Sequence, residues 1–272
     1  MTPRFFQVLS AGESRVFCRF MRLHFTESGR GRPVVLLHGL FGSSDNWHPV
    51  AVGLAESFHV FALDQRNHGR SPHSAEMDYP LMAADVDRFF ATRGLASARV
   101  VGHSMGGKTA MQLALHFPRR VEKLVVVDMA PRAYAPAHDK IFAALLALEL
   151  PAFESRPQIE AALAPDIPNP VLRRFLLKNL GRTPAGGFHW KINLADLAEN
   201  YWRLREPVAG PMRFAGPTLF MRGGKSKYLA AEDEPLIRDW FPAAQIQTLA
   251  EAGHWVHADQ PGEFLRRLVD FL

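Results

Sequence analysis

One short segment limits the fold of this chain more than any other part of the sequence. It spells VVGHSMGGK from position 100 to position 108, so a β-branched run passes directly into a glycine-flanked serine. Apolar residues then follow at helical spacing up to Pro118. This order predicts a strand, a sharp turn with Ser104 at its tip, and a helix. Gly102 and Gly106 are needed because side chains there would strike the adjacent backbone.

The same alternation of strand and helix patterns runs through the first half of the chain and returns near its end. It predicts an α/β fold, in which a mainly parallel sheet is flanked by helices. The predicted strands cover residues 34–37, 60–63, 99–101, 124–127, 218–221 and 245–249. The predicted helices are 47–56, begun by Ser43 or Ser44, 81–93, stopped by Gly94, and the closing helix 261–272.

Between these two parts the pattern changes to helical stretches separated by proline, without a convincing strand. The expected helices cover residues 140–150, 158–164, 171–180 and 194–205. We therefore expect the first part of an α/β core at residues 1–130, an inserted helical cap at 131–211, and the second part of the core at 212–272. Residues 131–211 are called the cap below.

Charge and cysteine content limit the partners and the compartment. The chain has 32 Lys+Arg against 27 Asp+Glu, a formal net charge of +5, and its basic residues are scattered. Nucleic acid is therefore not an expected partner, whereas anionic small molecules are favoured. No apolar run is long enough for membrane insertion. Cys18, in a strand-like run at 16–25, is the single cysteine, which favours a cytoplasmic location. The sequence leaves the oligomeric state open.

The strand-turn-helix context of Ser104 is that of a nucleophile elbow, the arrangement typical of the α/β-hydrolase fold. Acyl transfer at such a serine needs two N–H groups that point at the tetrahedral oxygen. Met105, at the start of the following helix, offers one of these amides. Leu40 offers the other, because the apolar strand at 34–37 ends in His38-Gly39. His38 itself is expected to brace this loop through hydrogen bonds.

Twelve histidines compete for the position of the general base. In this fold the chain order is nucleophile, acid, histidine, and the histidine follows the last strand. His254 meets that condition, since it ends the sequence EAGH after the strand at 245–249. His257 is the second candidate, although an ordinary loop or surface histidine is the commoner interpretation. His103 is expected to pack beside the serine.

The acid departs from the usual pattern of the fold. Many members carry an aspartate after the penultimate strand, but this sequence has Ser226 there. Asp128 ends the strand at 124–127, so its carboxylate should emerge at the edge of the sheet where active sites gather. We assign Asp128 as the acid that orients the base. Ser226 is expected to share that duty through a hydrogen bond to Asp128 or His254, and an ordinary turn serine is the alternative interpretation. A helix-capping or loop carboxylate is the alternative interpretation of Asp128, and Asp233 is the alternative acid if its loop bends inward.

Four motifs together resemble the YbfF-type carboxylesterases of the α/β-hydrolase superfamily. They are HGLFGS at 38–43, DQRNHGRS at 64–71, GHSMGG at 102–107 and RGGKS at 222–226. In that subfamily the acid follows the earlier strand and a serine occupies the usual acid position, as for Asp128 and Ser226. The resemblance implies activity on short to medium acyl esters or thioesters, without a metal or organic cofactor. The segment 64–71 is expected to brace the fold.

These residues predict a serine hydrolase that cleaves carboxylic esters or acyl thioesters of small molecules through an acyl-enzyme on Ser104. Phe41 and Trp190 are the expected substrate-binding residues, and Phe188 and Trp202 offer further apolar lining. Packing within the cap is the competing interpretation of each aromatic residue. Acyl transfer or perhydrolysis on the same triad is an alternative activity. A non-catalytic small-molecule receptor is an alternative of another class.

Overall fold

The computed structural model describes residues 21–272, so Cys18 and most of the strand-like run at 16–25 lie outside the described residues. Its strands are β1 (Phe25–Ser28), β2 (Arg32–Leu37), β3 (Phe58–Leu63), β4 (Ala98–His103), β5 (Val121–Val127), β6 (Leu180–Arg182), β7 (Phe188–Trp190), β8 (Thr218–Gly223) and β9 (Ala244–Leu249). The main sheet has the order β1-β3-β2-β4-β5-β8-β9. Its neighbours are parallel except β1, which runs antiparallel to β3. The predicted mainly parallel sheet is confirmed, and each of the six predicted strands is present.

The helices in the described part of the chain are α1 (His48–Leu54), α2 (Tyr79–Arg93), α3 (Met105–His116), α4 (Asp139–Leu146), α5 (Arg156–Ala162), α6 (Pro170–Leu177), α7 (Leu194–Arg205), α8 (Glu234–Trp240), α9 (Val256–Asp259) and α10 (Pro261–Phe271). Helix α2 begins at its cap Asp78, whose carboxylate accepts the Leu81 N–H, and it stops as predicted at Gly94, with a φ of 67°. The helix predicted at 47–56 is instead a 3-10 turn, Ser44–Trp47, followed by α1. No helix within residues 21–272 has the length and apolar character that crossing a membrane requires.

The central strands of the sheet are buried on both faces, which explains why they are continuous apolar runs in the sequence. In β2, Val35 and Leu37 pack with α2 and α3, whereas Val34 and Leu36 face α1 and α10. Strands β4 and β5 alternate in the same way. Two apolar layers therefore fix the sheet. The loops at the carboxyl ends of its parallel strands are left to build a site.

The cap contains a β-hairpin, so the expectation of a cap without strands was wrong. Strands β6 and β7 are three residues each and pair antiparallel, with Leu180 opposite Trp190. Strands this short show no alternating pattern that separates them from loop residues. Gly186, with a φ of 88°, lies in the connecting turn. The cap has its own apolar core, which continues onto the main domain through Phe41, Met82 and Met105.

Lys108 joins α3, the helix that follows Ser104, to the end of the cap. Its side chain is fully buried, and the amine donates hydrogen bonds to the carbonyl oxygens of Glu206, at 2.5 Å, and Arg205, at 3.4 Å. The rings of Tyr79 and Tyr134 lie 5.4 and 4.8 Å from its nitrogen. Burial lowers the pKa of Lys108 to about 7, so its neutral form is favoured in the folded protein above about pH 7.

This buried amine should make stability depend on pH above neutrality. An unfolded lysine has a pKa near 10.4 and keeps its proton, whereas folded Lys108 releases it above about pH 7. The free energy of unfolding should therefore rise with pH between about 7 and 10, by at most about 1.4 kcal/mol per pH unit. Urea titrations at several pH values measure this slope. It should disappear in Lys108→Met and persist in the exposed control Lys140→Met; equal slopes would contradict the assignment.

Candidate active site

The turn between β4 and α3 holds Ser104 in a strained backbone conformation, with φ 53° and ψ −117°. A Cβ atom on Gly102 would lie 2.1 Å from the Gly106 carbonyl oxygen, and one on Gly106 would lie 2.3 Å from the Leu37 oxygen. The steric reason predicted for the two glycines is therefore confirmed. The Ser104 N–H is fixed by a 3.0 Å bond to the Val127 oxygen of the neighbouring strand. Such over-determined strain is typical of functional turns.

Three loops at the carboxyl edge of the sheet bring Ser104, His254 and Asp128 together. The His254 Nε2 atom lies 3.0 Å from the Ser104 hydroxyl oxygen, and its Nδ1 lies 2.7 Å from Asp128 Oδ2. An ionised carboxylate only accepts hydrogen bonds, so Nδ1 carries the proton and Nε2 accepts the one from Ser104. The arrangement can therefore move a proton from the serine to the imidazole.

Asp128 is fully buried and lies at a φ of 51° directly after β5. Its Oδ1 accepts the Gly223 N–H at 3.0 Å, and its Oδ2 accepts the Ser226 hydroxyl as well as His254. Asp233, the alternative acid, instead accepts the Arg132 guanidinium at 2.8 Å. Within residues 21–272, no hydrogen bond joins Asp233 to His254.

The two residues whose amides are predicted to bind an oxyanion lie close to Ser104. Met105 is the first residue of α3, where an N–H has no partner within the helix. Leu40 lies in the loop after β2, and this loop runs close past the elbow: a Cβ atom on Gly39 would lie 3.2 Å from the Ser104 Cβ. Both residues line a cavity that contains Ser104.

Two cavities meet at Ser104. The larger cavity, of about 760 Å³, is lined among others by His38, Leu40, Phe41, Ser104, His138, Arg174, Lys178, Tyr228, His254 and Trp255. The smaller cavity, of about 310 Å³, is lined among others by Leu40, Tyr79, Ser104, Met105, Met129, Arg132, Tyr134, Tyr201, Leu204, Arg205, Lys227 and Tyr228. A substrate whose reacting carbon lies over Ser104 can therefore extend in two directions.

Comparison with known proteins identifies the family of this chain. The family model described as the alpha/beta hydrolase fold matches residues 32–261. The chain belongs to the α/β-hydrolase family. It is 41% identical over 247 residues to the sn-1-specific diacylglycerol lipase ABHD11 of Mus musculus, covering 88% of this chain and 80% of that protein. It is 36% identical over 241 residues to the esterase YbfF of Escherichia coli, covering 88% and 92%.

Among solved structures, a marine microorganism esterase matches this hydrolase with a TM-score of 0.91 and 41% sequence identity. The match covers 93% of this chain and 100% of that one. Together with the sequence relatives, it confirms the resemblance to the YbfF-type subfamily.

The histidines set aside as bases have other partners in this hydrolase. His38 Nδ1 donates to the Gly39 oxygen at 2.9 Å, and its Nε2 accepts the Gln65 N–H at 3.0 Å, so it braces the loop. His103 Nε2 donates to the His254 carbonyl at 2.9 Å. The His257 ring stacks on Trp47 at 4.6 Å, and burial lowers the pKa of His257 to about 4.

Phe41 and Trp190 have different positions relative to the site. Phe41 lines the larger cavity, where its N–H donates to His68 Nε2 and its carbonyl accepts the Asn179 amide. Trp190 lies in a separate depression of about 650 Å³ with Leu146 and Leu150, and the structure does not bring it to Ser104. Trp190 lies at the end of a hairpin that the sequence did not indicate, and this explains why it is not beside Ser104 as expected.

The other two aromatic residues expected as lining are also placed elsewhere. Phe188 is buried in the core of the cap, and Trp202 is 53% exposed beside α2. Neither side chain lines the cavities at Ser104 in the described part of the chain. The competing interpretation as cap packing therefore describes Phe188, while Trp202 is a surface residue.

Tyr228 contacts the site but carried no recognisable signal in the sequence. Its ring stacks on the His254 imidazole, with centroids 3.9 Å apart and planes 22° apart. The Tyr228 N–H donates to the Ser226 oxygen at 3.2 Å, and its carbonyl accepts the Tyr134 hydroxyl at 2.5 Å. Ser226 thus contacts Asp128 directly and holds the backbone of the residue that covers His254. A lone tyrosine in a turn has no periodicity by which to find it.

Removal of this ring should slow turnover more than it weakens binding. The ring face orients the imidazole and favours the cation that forms during proton transfer. In Tyr228→Leu we expect kcat on a p-nitrophenyl ester to fall about tenfold, with a smaller change in KM. Tyr228→Phe keeps the ring and should restore most of kcat. Equal loss in both variants would instead point to the hydroxyl group.

Proposed function

We propose that this ester-hydrolysing enzyme cleaves carboxylic esters and acyl thioesters of small molecules through an acyl-enzyme on Ser104. The observation that carries the proposal is the hydrogen-bonded line from Ser104 through His254 to Asp128, with distances of 3.0 and 2.7 Å, where two cavities meet. The esterase and lipase relatives support ester hydrolysis. They also argue against the alternative of a non-catalytic receptor.

The first half-reaction forms the acyl-enzyme. His254 accepts the Ser104 proton while the serine oxygen attacks the acyl carbon. The N–H groups of Leu40 and Met105 donate to the resulting oxyanion. The carbon–oxygen or carbon–sulfur bond of the leaving group then breaks, and His254 gives the proton to the departing atom. The acyl group remains esterified to Ser104.

Water completes the reaction through the same groups. His254 removes a proton from water, and the hydroxide adds to the acyl carbon. The bond between that carbon and the Ser104 oxygen then breaks while His254 returns the proton to the serine oxygen, which releases the acid and restores Ser104. Asp128 stays ionised and stabilises the imidazolium in both halves. An alcohol or peroxide in place of water would give acyl transfer or perhydrolysis. A cytoplasmic location and the absence of nucleic-acid partners stay predictions from the sequence.

Hydrolysis of p-nitrophenyl esters of increasing acyl length tests the nucleophile. We expect turnover that depends on Ser104 and declines once the acyl chain outgrows its cavity. In Ser104→Ala, kcat should fall by at least about 10³-fold, because the remaining groups only bind and polarise the substrate. Product analysis in the presence of an added alcohol separates hydrolysis from acyl transfer. Undiminished turnover by Ser104→Ala would remove the acyl-enzyme mechanism.

A second experiment compares the two candidate acids. Asp128→Asn cannot fix the imidazole tautomer, so we expect kcat to fall by about 10³ to 10⁴-fold. Ser226→Ala removes one of several hydrogen bonds to Asp128 and should cost about tenfold. Asp233→Asn should lose far less than Asp128→Asn, since its carboxylate contacts Arg132. The reverse order of the two aspartate variants would transfer the assignment to Asp233.

A further inference from the structure

The two cavities at Ser104 differ in their access to His254. This side chain lines the larger cavity, whereas the lining of the smaller cavity includes Ser104, Leu40 and Met105 without it. In the proposed mechanism the imidazole protonates the leaving atom, which must therefore lie within hydrogen-bond reach of Nε2. The leaving group then extends into the larger cavity. The acyl chain is left with the smaller one.

Four tyrosines line the smaller cavity, and the hydroxyl groups of three of them have partners within the protein. The Tyr79 hydroxyl donates to the Leu204 carbonyl at 2.7 Å, and the Tyr134 hydroxyl donates to the Tyr228 carbonyl. The Tyr201 hydroxyl lies 2.7 Å from His138 Nδ1. Because these hydroxyls already have partners, the tyrosines offer an apolar surface, which suits the methylene groups of an acyl chain.

Arg205 adds a positive charge to the apolar wall of the smaller cavity, and this charge has no ion-pair partner among the described residues. Its guanidinium makes no hydrogen bond or ion pair within residues 21–272, and its Nε atom is fully buried without a partner. The guanidinium carbon of Arg205 lies over the Tyr201 ring, 5.6 Å from its centroid. Buried hydrogen-bond donors in folded proteins almost always have an acceptor. A buried donor of Arg205 without an acceptor, on a residue that lines a cavity, therefore points to an oxygen atom of a ligand.

The other charges around the smaller cavity have the same sign. Lys227 lines it with an exposed side chain, and Arg132 lines it while paired with Asp233. No aspartate or glutamate of the described residues belongs to this lining. An anionic group would therefore be attracted into the cavity, and Arg205 offers it donors that fit a carboxylate.

We infer that the smaller cavity binds an acyl chain that ends in a carboxylate, with Arg205 as the specificity-determining residue for that group. The substrates are then half-esters or half-thioesters of short dicarboxylic acids, a class that fits a cavity of about 310 Å³. The inference rests on the proposed function, because the direction of the acyl chain follows from His254 acting on the leaving atom.

A matched pair of substrates tests this inference. Mono-p-nitrophenyl glutarate and p-nitrophenyl pentanoate have acyl chains of equal length and the same leaving group, and differ in the terminal carboxylate. We expect the wild type to prefer the glutarate in kcat/KM. In Arg205→Gln the ratio of the two kcat/KM values should fall by about 10- to 100-fold, the worth of a hydrogen bond to a charged group. A wild type that prefers the pentanoate would overturn the inference.

Two further variants make the result specific to Arg205. Arg203→Gln lies on the same helix, and Arg203 lines neither cavity at Ser104, so this variant should keep the wild-type ratio. Arg205→Lys keeps the charge but not the planar fork, and an intermediate ratio is expected. Lys108 bonds to the main-chain oxygen of Arg205, so these side-chain changes leave that contact in place. Labelling of Ser104 by a fluorophosphonate reports whether each variant is folded.

The remaining outcomes separate this inference from the proposed function. An unchanged ratio in Arg205→Gln, with normal turnover of the pentanoate, would overturn the inference and leave the serine mechanism intact. Butyryl-coenzyme A carries its negative charge on the leaving group. Loss of its turnover in Arg205→Gln, without a change in the glutarate ratio, would place the anion on the leaving-group side and overturn the assignment. Failure of the wild type to hydrolyse any ester would remove both proposals.

Discussion

The buried carboxylate of Asp128 fixes the positions of the other residues of the site relative to one another. An unpaired charge removed from water is costly, so the fold must supply donors wherever this side chain is placed. They come from the main chain of Gly223, from Ser226 and from His254, which lie in β8 and in the loops after β8 and β9. The position of one side chain after β5 thereby fixes two neighbouring loops. His254 is directed at Ser104 as a consequence of that arrangement.

Backbone strain is concentrated at the same edge of the sheet. Ser104, Asp128 and Phe41 are non-glycine residues with φ between 51° and 61°. Each is held by main-chain hydrogen bonds: Ser104 to β5, Asp128 to β8, and Phe41 to the side chains of His68 and Asn179. Strain of this kind persists only where the surroundings over-determine it. The buried sheet supplies that rigidity to two of these residues, and the cap supplies part of it to Phe41.

The parts of the structure that could be predicted are those that depend on the sheet. Strands buried on both faces leave continuous apolar runs, and the residues that follow their carboxyl ends meet at one edge of the sheet. Together with the glycine-flanked serine motif, this placement is why the sequence predicts that Ser104, Asp128 and His254 come together. The hairpin of the cap has three-residue strands, so it left no periodic signal and Trp190 was placed wrongly. Tyr228 and Arg205 act through contacts made only after folding, and no local pattern marks them.

The buried side chain of Lys108 links the wall of the smaller cavity to the helix that follows Ser104. Helix α7 of the cap carries Tyr201 and Arg205 into the smaller cavity, and its end accepts hydrogen bonds from Lys108. Lys108 lies on α3, one turn after Ser104, the residue that directly precedes this helix. A displacement of α7 would therefore change the shape of the smaller cavity and, through Lys108, shift α3, the helix that follows Ser104. The larger cavity is lined instead by α6 and the loop around Trp255, so it can vary in shape with less effect on the nucleophile.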